Sequence, residues 1–137
     1  MIYAVIDTNV LVSAYITKNL NAPTVKVWEA VLKSRLTPIY NKEIIDEYSD
    51  VLHRKKFNIP DDLTKQALDR ILTNGVSGER ILSHEFFPDP KDVVFYEVAL
   101  SKENAFLITG NKKHFPKTPI VVTPAEMLEI LQQDGIL

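Results

Sequence analysis

The chain has 137 residues, a net charge of −2, 45% hydrophobic residues and no cysteine. The length fits one domain, residues 1–137, with a sizeable core, and the composition is that of an ordinary globular protein. Disulfides and thiolate metal sites are excluded, no apolar stretch suffices for a transmembrane helix, and the overall charge does not advertise a polyanion partner. No basic leader precedes the first apolar run, so no secretory signal is expected; the absence of cysteine agrees with a cytoplasmic location.

Residues 2–6 read as a buried strand, short, apolar and β-branched, and Asp7 ends it. Residues 9–16 fit a helix or a loop. Asn21-Ala22-Pro23 opens a helix to about Lys33, with Pro23 in its first turn and Val27, Trp28, Val31 and Leu32 on its inner face. Residues 36–40 predict a strand. Asn41 is a natural N-cap for a helix to about His53, and Asp61 or Asp62 starts another that ends near Asn74-Gly75. Residues 76–88 show no clear period, with Arg80-Ile81-Leu82 as a candidate strand. Asp89-Pro90-Lys91-Asp92 begins an apolar helix to about Lys102. Residues 105–109 and 120–122 read as strands, and Thr123-Pro124-Ala125-Glu126 is a capping box that opens the last helix. Strands alternating with helices imply an α/β fold: a parallel sheet with right-handed crossovers and helices on both faces.

Ligands of such sheets bind in the crevice outside the carboxyl ends of the strands. Asp7 stands at that address, and a buried carboxylate there is costly unless its charge is compensated. Its other reading is a cap for the following turn. On the helix after Asn41, Ile44, Ile45, Tyr48, Val51 and Leu52 form the apolar face, and Glu47 lies about 100° from its centre, at the margin of the core. Periodicity alone fits a surface glutamate somewhat better. Asp92 shares a face with Phe95, Tyr96 and Ala99, although an acid in a first turn is also favoured by the helix dipole. Asp89 competes with it and fits a cap better. Asn111 and His114 follow the strand at 105–109, where a turn asparagine and an exposed loop histidine are the plain alternatives. Two basic runs, His53-Arg54-Lys55-Lys56 and Lys112-Lys113-His114, fit either solvated surface or local contacts to nucleic acid.

Taken together these residues resemble the PIN-domain family of metal-dependent ribonucleases. Residues 5–14, around Asp7-Thr8-Asn9, look like its first motif, and Glu43-Ile44-Ile45-Asp46-Glu47-Tyr48 looks like its second. Asp89-Pro90-Lys91-Asp92 with Phe95 looks like the third, and residues 107–115, around Thr109-Gly110-Asn111, like the fourth. The nearest subgroup is the toxin components of bacterial and archaeal toxin–antitoxin pairs, similar to VapC-type toxins. The resemblance implies a three-layer α/β/α sandwich around a parallel sheet of about five strands. It also implies Mg²⁺- or Mn²⁺-dependent cleavage of RNA, a cognate antitoxin as partner and, plausibly, a homodimer, with no membrane role.

The acids carried over are Asp7, Glu47 and Asp92 as metal ligands, with Asn111 matching an Asn/Asp position of the fourth motif. Thr8, Asn9, Thr109 and His114 are then candidates to hydrogen-bond the carboxylates or the phosphate, and Arg54, Lys55, Lys56, Lys112 and Lys113 to contact RNA. His114 departs from the pattern, since many members carry an aspartate there; one metal is favoured over two. A PIN-like module that binds RNA or protein without cutting is the alternative reading. A dehalogenase-like phosphatase needs an aspartate at the position of Asn9, and a receiver domain needs an early acidic pair; neither is present.

Overall fold

A computed structural model describes all of residues 1–137. Five parallel strands form one sheet in the order β3-β2-β1-β4-β5, flanked by six helices. The strands are β1 (Tyr3–Ile6), β2 (Thr37–Tyr40), β3 (Val76–Ser77), β4 (Phe106–Ile108) and β5 (Val121–Val122). The helices are α1 (Thr8–Ile16), α2 (Pro23–Leu32), α3 (Lys42–Leu52), α4 (Asp61–Asn74), α5 (Val93–Ala99) and α6 (Pro124–Gln133). None is long and apolar enough to cross a membrane.

β1 is central because its residues are apolar on both faces: Ala4, Val5 and Ile6 are all buried, as a strand covered by helices on two sides requires. It pairs with β2 through Tyr3 and Thr37 and with β4 through Val5 and Leu107. The ambiguous stretch after Asp7 is helical, and α1 buries Val10, Leu11 and Val12. α2 buries Val27, Trp28 and Val31, whereas Leu32, expected inside, ends the helix exposed. Asn41 caps α3 by accepting from the Ile44 amide at 2.9 Å. The Thr123–Glu126 capping box forms in both directions at the start of α6. Gly75 joins α4 to β3 where a Cβ would lie 2.5 Å from the carbonyl oxygens of Ile71 and Pro38, so the chain needs a glycine there.

Two expectations are corrected. Arg80, Ile81 and Leu82 form no strand; the short third strand is Val76–Ser77 instead. The helix expected from Asp89 to about Lys102 is a 3₁₀ turn, Pro90–Asp92, followed by α5, which ends at Ala99. The Asp89 side chain accepts from the Lys91 amide at 2.9 Å, a tight local bond that favours the 3₁₀ start.

The aperiodic segment after β3 is held by charge rather than by a ladder. Arg80 donates to Glu97 at 2.8 Å and to Glu43 at 2.9 Å, and the Ser83 amide donates to Glu97 at 2.7 Å. The Glu97 side chain is only 5% exposed, so its charge depends on these partners. Further along, the Phe87 ring meets Tyr96 and Phe115 edge-on. Arg80→Met is expected to cost about 1–2 kcal/mol, because Glu97 keeps the Ser83 amide but loses its counter-charge. The check is the urea midpoint at constant m-value, and an unchanged midpoint would leave the Arg80 contacts as surface decoration.

Candidate active site

Strands β1, β4 and β5 end at one level. The Asp7 amide donates to the Ile108 carbonyl and the Thr109 amide to the Val122 carbonyl, each at 2.9 Å. This brings Thr109 beside Asp7, and its hydroxyl donates to Asp7 Oδ2 at 2.8 Å in a buried bond. Asp7 precedes α1, but its side chain makes no capping bond to that helix. Burial pushes its carboxyl above the usual range, opposed by the Thr109 hydroxyl and the Thr8 amide, with the charge of Glu47 adding to the rise.

Glu47 stands half-buried at the edge of α3, where helix geometry puts it, and accepts from the buried Thr8 hydroxyl at 2.7 Å. Next to it, the buried Tyr48 hydroxyl donates to the Ile6 carbonyl and ties α3 to the end of β1. Burial, helped by the charges of Asp7 and Glu47, raises the Tyr48 pKa, so the hydroxyl stays a donor.

Asp92 ends the 3₁₀ turn before α5, above the buried Phe95, Tyr96 and Ala99. Its Oδ2 is buried without a hydrogen-bond partner, an expensive state for a carboxylate oxygen. His114 Nδ1 approaches it to 3.3 Å without the alignment of a hydrogen bond. The Asp92 pKa is pushed up to about 6, by burial first and then by the charges of Asp7 and Asp89. Repulsion among the acids is thus present, but loss of water is the larger cause for Asp7 and Asp92 alike.

Asp7, Glu47, Asp92, Asn111 and His114 line one crevice of about 260 Å³, together with Thr8 and Asn9. No three acid or histidine side chains close on a common point. Arg54 and Lys56 reach this crevice, Arg54 also pairing with Asp50 at 3.1 Å. Lys55, Lys112 and Lys113 do not line it. Sequence reasoning missed two of its walls. Lys91 was read only as part of a helix start, and Asp89, weighed against Asp92, as the better cap; Asp89 does cap, but it lines the crevice too. Their nearness to Asp92 in the chain was the available signal.

A family model described as PIN domain matches residues 3–113. The chain belongs to the PIN-domain family. No curated protein and no solved structure matches it. PIN domains are generally nucleases, usually with divalent metals, and so bind nucleic acid. In this PIN domain the matched span takes in Asp7, Glu47, Asp92 and Asn111, and stops one residue before His114.

Proposed function

We propose that this PIN domain, acting as one unit over residues 1–137, is a Mg²⁺- or Mn²⁺-dependent endoribonuclease. Its biological role would be that of the toxin of a type II toxin–antitoxin pair, cytoplasmic, held by a cognate antitoxin and capable of homodimerisation. The observation that carries the chemistry is that a buried strand-end carboxylate, Asp7, and a buried oxygen of Asp92 that makes no hydrogen bond line the same crevice.

The residues fit a hard cation. The donors are carboxylate oxygens, and one of them makes no hydrogen bond. The acids line a shared crevice without converging on a point, so an ion there would take one or two carboxylates directly and reach the rest through water, as Mg²⁺ can. Asp7, Glu47 and Asp92 would hold it, and bound there it would lower the pKa of a water and stabilise charge on the phosphate.

The rest is done by the chain. Thr109 fixes Asp7 and Thr8 fixes Glu47, so neither carboxylate need reorient when substrate arrives. Asn111, exposed at the rim, can donate to a phosphate oxygen. Arg54, Lys56 and Lys91 place cations at the crevice for the RNA backbone. Hydrolysis joins a water oxygen to phosphorus and breaks one phosphoester bond, and the departing oxygen gains a proton. His114, whose Nδ1 lies 3.3 Å from Asp92, would carry that proton.

Cleavage of labelled RNA with Mn²⁺, and none with EDTA, is the direct test. Millimolar Mg²⁺ or Mn²⁺ is also expected to raise the melting temperature; ion at a hundred times its Kd would add about 2.7 kcal/mol. No shift at all would count heavily against the ion site. His114 against Asp92 also supports a second reading, a module that binds RNA or protein without cutting. Metal-independent RNA binding with no cleavage would select it.

A further inference from the structure

The 3₁₀ turn Lys112–His114 is a wall between two clefts. On one side Asn111 and His114 face the acids. On the other, Lys112 and Lys113 line a larger groove of about 630 Å³, within the usual range for a bound small molecule, whereas the acid crevice is smaller. The groove runs beside the edge strand β5, whose Val121 and Val122 line it with Pro116 and Pro119. Lys117 makes a third cation. The one acid is Glu126, and it is already engaged: Lys112 donates to it at 3.1 Å and the Thr123 amide at 2.9 Å. Lys113 and Lys117 make no ion pair. Thr118, also in the groove wall, has a buried hydroxyl with no partner.

We propose that this groove is a nucleotide subsite for the RNA strand, holding a residue next to the phosphate at the acid crevice; the proposal rests on the nuclease reading above. The exposed Pro119, floored by the nearly buried Pro116, Val121 and Val122, offers a small apolar face to a base or sugar, and two unpaired lysines suit its phosphates. Three lysines against one neutralised acid select an anion over a cation. The distance is right as well. β5 lies two strands from β1, roughly 10 Å at sheet spacing, and is joined to the site by the Thr109–Val122 hydrogen bond. A strand whose phosphate reaches Asp7 therefore has neighbouring nucleotides at the groove.

The test is binding of a fluorescent single-stranded oligoribonucleotide in EDTA, so that no cleavage intervenes. Lys113→Ala/Lys117→Ala should weaken binding and reduce the slope of log K against log salt by about 1.4, two contacts at about 0.7 each. Lys18→Ala/Lys33→Ala, exposed lysines of neither cleft, should leave the slope unchanged. Methyl resonances of Val121, Val122 and Thr118 should move with the oligonucleotide and stay still with inorganic phosphate. An unchanged slope in the first variant, an equal loss in the second, still methyls, or no binding by the parent chain overturns the subsite. Binding with the expected slope but no cleavage on adding Mn²⁺ leaves the subsite standing and sinks the nuclease reading alone.

Discussion

Asp7→Asn is expected to lower kcat for RNA cleavage at least about a thousandfold, some 4 kcal/mol of transition-state stabilisation, while leaving the fold intact. The carboxylate is fixed at both ends, by the strand that carries it and by the Thr109 hydroxyl, so its charge is delivered to one place. An asparagine of the same shape still accepts from Thr109 but brings no charge. Stability should barely suffer. The substitution removes a buried charge, which is favourable, and adds an amide that needs an acceptor, for which Glu47 and Asp92 face the same crevice. The metal-free melting temperature should stay within about 4 °C of the parent. Full activity in this variant would sink the mechanism; an unfolded variant would mean that Asp7 is structural.

Asp92→Asn should cost about a hundredfold in activity and also abolish a pH dependence. The folded pKa of Asp92, about 6, lies above the unfolded value of about 3.9. Folding therefore favours its protonated form. The stability it contributes is fully present below about pH 4 and is lost as pH rises through about 6. Without metal, the parent chain should melt at a higher temperature at pH 5.5 than at pH 7.5, and the difference should shrink in Asp92→Asn. Glu97 and Glu126 have lowered pKa values, so their opposing losses fall below about pH 4.5, outside that window. With metal the order reverses, because a proton and a cation compete for the same oxygen. Apparent ion affinity should fall about tenfold from pH 7 to pH 5 in the parent chain and less in the variant. Equal pH dependence in both proteins would place the titrating group elsewhere.

Asp7, Glu47 and Asp92 were legible as candidates because each lies on or directly against an element with a clear period. An apolar run ends just before Asp7, a helical stripe leaves Glu47 at its margin, and Phe95, Tyr96 and Ala99 follow Asp92 at helical spacing, although Asp92 itself lies in the 3₁₀ turn before α5. What the sequence concealed depends on partners far along the chain. Glu97 reads as one acid in an apolar helix, and only the fold shows that Arg80, 17 residues earlier, neutralises it. The same ion pair explains why the segment after β3 has no period to read: it is fastened at a few points and fills no face. β3 itself, two residues long, is too short to leave an alternation. The basic runs were visible, but their division was not. A single turn sends His114 toward the acids and Lys112 and Lys113 toward the other cleft, and spacing in a sequence does not reveal which way a turn faces.

The bond between Thr109 and Asp7 joins residues 102 apart. At roughly 5–20 residues per second, a ribosome needs about 5–20 s to add Thr109 after Asp7. Throughout that interval the central strand has no β4 to pair with, and Asp7 has no hydroxyl to hold it. On the nuclease reading, a nascent chain cannot assemble the site around Asp7 until Thr109 has been added. The order of the strands doubles as a timer.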